Sequence, residues 1–190
     1  MKPEEYTIAE HQHRLAAWAA GRAASVRGKN AFAVETAKRW IEATPLPEFI
    51  PSPANIPDAG EFDEKHKEWR ESMITAAKPQ VISHGTAAKL INAYLKVGVV
   101  CAGHHEKAKH LHPPIDRLLL NALAEHNVGG HKSIWKKYAT KGWSNFKSED
   151  YQKVINTLKT LPELQTKGLW AVEYYWQGHQ DAATKKQPNT

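Results

Sequence analysis

The spacing of apolar residues is the feature of this sequence that most limits its fold. Apolar side chains recur every three or four positions through most of the chain, and no neighbouring segments alternate as hairpin strands would. With 190 residues, the chain can form one domain with a substantial core. We therefore predict an all-α fold, a single compact domain of about seven or eight helices over residues 1–180, with a flexible basic tail over 181–190.

The predicted helices are separated by glycine and proline signals. Thr7 and Glu10 have the spacing of a capping box and predict the start of the first helix, and Pro113 and Pro114 precede a later one. The proline-rich stretch 44–60 predicts an irregular crossing that packs on the body of the domain. The predicted helices span 7–25, 31–43, 61–77, 85–97, 115–126, 148–160 and 164–177.

Charge and composition narrow the class of partner. The formal net charge is +6, and a basic surface favours polyanions such as nucleic acid. The single cysteine, Cys101, excludes an internal disulfide framework and suits a reducing compartment. No apolar run has the length of a membrane span, and the start of the chain lacks the apolar core of a signal peptide. These features predict a cytoplasmic protein with a polyanionic partner, although charge alone does not choose between nucleic acid and an anionic membrane surface.

The segment HPPIDRLLL carries the strongest indication of chemistry. Two prolines enforce an extended approach, and Asp116 follows at the entrance of an apolar helix. An aspartate there stabilises the helix dipole, which is its ordinary structural role. Because the helix is apolar enough to be buried, the carboxylate is also expected at the edge of a cleft. A carboxylate in a cleft can orient water or stabilise a positively charged sugar.

The segment SHGTAAKLINAYLK, which comes before it, predicts a turn followed by an amphipathic helix. Free backbone N–H groups at a helix start can hold a phosphate, and a glycine there allows close approach of a DNA backbone. A plain helix start is the structural alternative. The residues that we expect to contact DNA from these two segments and from the basic stretch after them are His84, Gly85, Thr86, Lys89, Lys96, His112, Arg117, Lys136 and Lys137.

Together these segments resemble the helix-hairpin-helix DNA glycosylase superfamily, over roughly residues 80–126. In that superfamily a hairpin with glycines is followed by an aspartate in a segment similar to HPPID, which places Asp116 at the catalytic position. The resemblance, which extends to 8-oxoguanine glycosylases, implies excision of a damaged or modified base from double-stranded DNA. We accordingly expect a monomer that binds DNA and no membrane. One anti-phage member of this class removes glucosylated hydroxymethylcytosine, so the resemblance also raises a role in antiviral defence.

The chain departs from that pattern at two places. Ser83 stands where the hairpin has its first glycine, and Ala87 aligns with the nucleophilic lysine of the bifunctional members. The resemblance therefore implies a monofunctional enzyme that uses water and needs no cofactor. If Lys89 or Lys96 reaches the sugar, a lyase activity is implied instead.

An excised base must leave the stack and enter a pocket with an aromatic wall and polar groups. The chain has seven tryptophans, and core packing is the ordinary role of each. The residues that we predict for the base pocket are His11, His13, Trp18, Arg22, Trp40 and Trp69.

Two alternatives remain open at this point. A non-enzymatic helical nucleic-acid-binding protein would use the same basic surface without Asp116. A zinc-dependent hydrolase is suggested by a group of potential ligands, but their spacing matches no regular zinc pattern, so we predict no metal site. That group consists of Cys101, His104, His105, His110 and His112.

Overall fold

Residues that favour capping and chain reversal mark the helix ends in the computed structural model, which describes residues 6–25 and 31–176. The Thr7 hydroxyl accepts a hydrogen bond from the Glu10 amide at the start of the first helix. The α-helices are α1 (Ile8–Ala24), α2 (Val34–Glu42), α3 (Ala59–Ala76), α4 (His84–Leu95), α5 (His105–Ala108), α6 (Arg117–Glu125), α7 (Lys132–Lys141), α8 (Ser148–Lys159) and α9 (Pro162–Lys167).

The all-α fold class is confirmed, because the described residues form helices and no strand. The proline-rich crossing contains two short 3-10 turns, Leu46–Phe49 and Pro53–Asn55, and it packs on the core as expected. Three expectations were wrong in detail. Helices α5 and α7 were not predicted, and the predicted helix 164–177 is divided at Gly168 into α9 and a 3-10 segment, Leu169–Tyr175.

Helix α4 lies at the centre of the molecule between two hydrophobic clusters. Its residues 85–95 are all buried. Leu90, Ile91 and Tyr94 belong to a cluster formed mainly by α1 to α4, whereas Ala88 belongs to a second cluster formed mainly by α6 to α9. A helix that is buried all round must be apolar or must have partners for its polar groups. The polar residues of α4 therefore need partners within the protein.

The start of α4 is held against the chain just before α8. A side-chain carbon added to Gly85 would lie 1.8 Å from the carbonyl oxygen of Trp143, and the Gly85 amide donates to the carbonyl of Phe146. Glycine is therefore needed here for contact with the protein's own backbone, and the close approach that the sequence predicted for DNA is made by residues 143–146.

Beyond Leu95, α4 continues as a π-helical turn, Lys96–Val100, in which the Cys101 amide donates to the carbonyl of Lys96. Such turns are frequent at functional sites. No helix among the described residues is long and apolar enough to cross a membrane. The predicted tail, 181–190, lies outside the described residues.

Candidate functional site

Asp116 is the N-cap of α6, and its two carboxylate oxygens have different partners. Oδ1 accepts a hydrogen bond of 2.9 Å from the Leu119 amide, which is the ordinary capping role of an aspartate. Oδ2 lies 3.3 Å from Nζ of Lys89 and accepts a bond of 3.1 Å from the indole Nε1 of Trp176. One oxygen therefore fixes the carboxylate to the helix, and the other faces a cation and an indole.

Lys89 is a buried cation whose nearest charge is Asp116. Its side chain is 8% exposed, and Nζ lies 4.4 Å above the centre of the Trp143 ring. Burial lowers the pKa of Lys89, although the neighbouring Asp116 carboxylate acts in the opposite direction. A lysine in such a place is a stronger nucleophile than an exposed one, because more of it is the neutral amine.

Lys89 and Asp116 share a cavity of about 500 Å³ between the two halves of the domain. We call it the Asp116 cavity. Its volume falls within the range of about 300–1,000 Å³ that is usual for sites of small molecules. Its lining combines small apolar side chains from α1 and α4 with a few charged groups and one indole. The lining residues are Ala19, Arg22, Ala23, Lys89, Ala93, Lys96, Val97, Pro114, Asp116, Leu118, Glu173 and Trp176.

The last described segment, residues 169–176, closes one side of this cavity, and we call it the strap. Glu173 of the strap forms an ion pair with Lys96, and its side chain is 18% exposed. Burial raises the pKa of Glu173, while the hydrogen bond from Lys96 opposes that effect. The strap thus brings Glu173 and Trp176 to the site. Sequence reasoning missed both, because only the folded chain brings them near Asp116.

A buried polar network holds the segment that leads to Asp116. The Asn92 amide nitrogen donates to the carbonyl of Pro113 and to the Tyr151 hydroxyl, each at 2.9 Å. The His112 ring lies 3.0 Å from the Tyr151 hydroxyl and 3.0 Å from the Asp63 carboxylate. Because α4 contacts this segment through both Lys89 and Asn92, the helix fixes the path of the chain on which Asp116 lies.

The same network continues to a fully buried arginine. The Asn92 side-chain oxygen lies 2.8 Å from Nε2 of His66, and Nδ1 of His66 lies 2.6 Å from Nη1 of Arg70. Arg70 also lies 4.5 Å from the centre of the Tyr151 ring. Burial lowers the pKa of both His66 and Arg70. His66 and His112 connect Arg70 at one end of the network to Asp63 at the other, and burial lowers the pKa of His112 as well.

Most residues predicted for the base pocket do not line the Asp116 cavity, and Arg22 is the exception. Trp40 and Trp69 are 5% and 4% exposed and belong to the first core cluster, where they pack on phenylalanine rings. His13 is buried against the hydroxyl of Tyr94. Trp40, Trp69 and His13 are therefore core residues and do not form a pocket, because their rings pack on other side chains inside the protein.

The other two predicted pocket residues, His11 and Trp18, lie on the exposed face of α1. The His11 ring is bonded to the Tyr6 hydroxyl, and the Trp18 side chain is 56% exposed. Trp18 precedes Arg22 by one helical turn, so it lies on the same side of α1 as the edge of the cavity. Neither residue lines the cavity itself.

The residues predicted to contact DNA fall into two groups. Arg117, Lys136 and Lys137 are exposed, while His84 and Lys96 are half-buried, so a role for these five in DNA binding stays a prediction. His112 is 3% exposed and both of its ring nitrogens are engaged within the protein.

The remaining three predicted contacts, Gly85, Thr86 and Lys89, are buried in α4. Gly85 packs on residues 143–146, and the Thr86 hydroxyl lies 3.1 Å from that of Ser83. The prediction that His112, Gly85 and Thr86 contact a phosphate at the surface is therefore wrong. Lys89, which was also predicted to contact the DNA backbone, lines the Asp116 cavity instead.

The potential zinc ligands between Cys101 and His112 do not come together in the structure. Cys101, His104 and His105 are exposed, whereas His112 points into the buried network. Among residues 6–25 and 31–176, no three side chains of the types that bind metals are grouped closely enough to hold an ion.

Comparison with known proteins finds no match to any family model, curated protein or solved structure.

Proposed function

We propose that this protein is a DNA glycosylase that hydrolyses the bond between deoxyribose and a modified or damaged base flipped out of the duplex. The contact between Lys89 and Asp116 inside a cavity of about 500 Å³ carries the proposal. A carboxylate in a shielded site stabilises positive charge more strongly than it would in water. The net charge of +6 supports a polyanionic substrate.

Asp116 has the chemistry that this reaction needs. As the glycosidic bond breaks, its electron pair leaves with the base, which takes up a proton, and positive charge develops on the sugar. The Oδ2 oxygen of Asp116, which faces the cavity, would stabilise that charge, while Oδ1 stays bonded to the Leu119 amide. A water molecule would then add its oxygen to the sugar carbon and release a proton.

Trp176 and Glu173 would give the cavity what a flipped base requires. Trp176 offers an aromatic surface at the wall, and Glu173 and Lys96 offer polar groups within it. A cavity of this volume also has room for a base with a large substituent. Glucosylated hydroxymethylcytosine, and with it a role in defence against phages, is therefore part of the proposal.

The position of Lys89 favours a second version of the same reaction. A neutral Lys89 amine could attack the sugar carbon directly, so that the base leaves as a carbon–nitrogen bond forms with the enzyme. The lowered pKa of Lys89 and its placement at Asp116 support this route. It would add strand cleavage to base release, in contrast to the water-only mechanism expected from Ala87.

The decisive experiment is mass spectrometry of bases released from duplexes with modified or damaged bases, including glucosylated hydroxymethylcytosine. We expect the wild type to release at least one base and Asp116→Asn to release it at least about 100-fold more slowly, the order lost when a group that stabilises transition-state charge is removed. Asp58→Asn is the matched control, since Asp58 is the exposed N-cap of α3 outside the cavity. DNA binding without release of any base would favour a non-enzymatic binding protein.

Borohydride reduction separates the two versions of the mechanism. A lysine bonded to the sugar would be trapped as a stable protein–DNA adduct, and Lys89→Met would abolish the adduct. Lys153→Met, which changes an exposed lysine of α8, should leave the yield unchanged. Base release without an adduct would identify water as the nucleophile.

A further inference from the structure

A second cavity, of about 440 Å³, adjoins the Asp116 cavity, with which it shares two lining residues. Its lining residues are Lys96, Val100, Cys101, Lys167, Trp170, Ala171, Glu173 and Tyr174, and we call it the Trp170 cavity. The side chains of Lys96 and Glu173 line both cavities, so their ion pair is the partition between them. A group bound in one cavity would therefore lie next to a group bound in the other.

The strap exposes an unusual amount of aromatic surface. Of the eight large apolar or aromatic side chains that are exposed among the described residues, three belong to the strap. Trp170 is 37% exposed, Tyr174 is 87% exposed and Trp176 is 39% exposed. Exposed aromatic rings grouped beside a cavity mark binding surfaces more often than scattered ones do.

The chemistry of the Trp170 cavity fits a nucleobase with its phosphate. Trp170 and Tyr174 offer aromatic rings on which any base can stack, and Val100 and Ala171 add an apolar surface. Lys167 is exposed at the edge, where a cation can meet a phosphate, and Lys96 lies towards the Asp116 cavity. Aromatic rings between cations are the pattern by which proteins hold unstacked nucleotides.

We propose that the Trp170 cavity holds the nucleobase adjacent to the excised one on the same strand. The inference rests on the proposed function, because the neighbour is defined by the base in the Asp116 cavity. We infer a neighbouring nucleobase because Lys96 and Glu173 line both cavities. Two sites that share a wall suit two consecutive nucleotides of one strand better than two separate molecules. The enzyme would thus unstack two nucleotides and favour sites whose neighbouring base stacks well on Trp170 and Tyr174.

The experiment measures binding to duplexes that carry a stable abasic nucleotide, which resembles the product. Three duplexes are compared: one with a single abasic position, one also lacking the base on its 5′ side and one also lacking the base on its 3′ side. We expect removal of one of these neighbours to weaken wild-type binding by roughly 5- to 150-fold, the effect of losing one stacked base. The combined variant Trp170→Ala, Tyr174→Ala should bind the single-abasic duplex less tightly and lose the dependence on that neighbour.

Two further variants complete the test. Tyr174→Ala alone changes a side chain that is 87% exposed, so its effect cannot come from unfolding, and it should lose part of the dependence. Tyr6→Ala removes an exposed aromatic residue that lines neither cavity, and it should keep the full dependence. The inference is overturned if removal of neither the 5′ nor the 3′ neighbour weakens wild-type binding, or if the combined variant keeps the wild-type difference.

The same proteins and duplexes also test the proposed function independently of the second cavity. It fails if the wild type binds an abasic duplex no more tightly than an intact one and releases no base. A wild type that releases a base but shows no dependence on a neighbouring base overturns the second subsite alone. A complete lack of DNA binding overturns both.

Discussion

The indole of Trp176 donates a hydrogen bond of 3.1 Å to Oδ2 of Asp116, the same oxygen that faces Lys89. Sixty residues separate the two side chains in sequence. This bond connects the strap to the entrance of α6, and under the proposed function it occupies the oxygen that a sugar would approach. In that case the strap would have to give way at Trp176, or share the oxygen, when a substrate enters the Asp116 cavity.

Trp176→Phe should loosen the strap while keeping an aromatic ring at the wall of the cavity. The change removes the N–H donor together with the five-membered ring of the indole, and because Trp176 is 39% exposed we expect a loss of about 1 kcal/mol from the hydrogen bond in the free energy of unfolding. Amide hydrogen exchange over residues 169–175 should become faster. Trp170→Phe, which changes a strap indole with no contact to Asp116, is the control. Equal protection in the two variants would show that the bond does not hold the strap.

Asp116→Asn should lower the pKa of Lys89 further. Asparagine can still cap α6 through its side-chain oxygen, but it removes the negative charge that favours the protonated amine. Titration of isotope-labelled lysine side chains by NMR would follow Lys89 directly. Glu173→Gln is the control, because Glu173 pairs with Lys96 and should leave Lys89 nearly unchanged. A raised pKa of Lys89 in Asp116→Asn would contradict the contact.

The buried histidines should make the fold sensitive to mild acid. Burial lowers the pKa of both His66 and His112, so the folded state favours their neutral forms. The groups that face them include Asp63, Arg70 and Tyr151. Because an unfolded histidine binds a proton near pH 6.5, stability is full above that pH and falls below it, by up to about 1.4 kcal/mol per pH unit for each histidine.

Urea unfolding at several pH values between 7.5 and 5 measures this slope. His66→Gln and His112→Gln each remove one titrating group, so each should reduce the slope by up to one proton. His104→Gln changes an exposed histidine and should leave the slope as it is. Burial acts to raise the pKa of Asp63, but its hydrogen bonds from His112 and Lys159 together lower it, so the contribution of Asp63 to stability is lost only at more acidic pH. An unchanged slope in His66→Gln and His112→Gln would show that other groups destabilise the fold in acid.

Local sequence signals predicted the parts of this structure that depend on neighbours in the chain. Thr7 caps α1 because its hydroxyl reaches the amide three residues on, and Asp116 caps α6 in the same way. The helical spacing of apolar residues gave the fold class. Helix α7 was missed, because its lysines were interpreted as DNA contacts of a basic stretch although Trp135 and Tyr138 beside them are buried.

The candidate site depends on contacts between distant parts of the chain, and these could not be predicted from spacing. The contact between Lys89 and Asp116 spans 27 residues, and that between Lys96 and Glu173 spans 77. The pattern of charges also misled the interpretation of His112 and Lys89, since nothing local shows that a polar residue will be buried with a partner. Of the residues predicted for the base pocket, Arg22 lines the Asp116 cavity, and its role in holding a base stays a prediction.

Gly85→Ala should destabilise the protein and displace the helix that carries Lys89. The added carbon would meet the backbone oxygen of Trp143 at 1.8 Å, and a backbone atom cannot move aside as the end of a side chain can. We expect a loss of at least about 2 kcal/mol, the scale of overpacking in a rigid interior. Gly60→Ala is the matched control in α3, where nothing lies within 4 Å of the added carbon, and it should stabilise the fold by about 0.5–1 kcal/mol. Urea unfolding compares the two variants. A similar small effect in both would mean that α4 can move away from residues 143–146, in which case the position of Lys89 beside Asp116 would not depend on this packing.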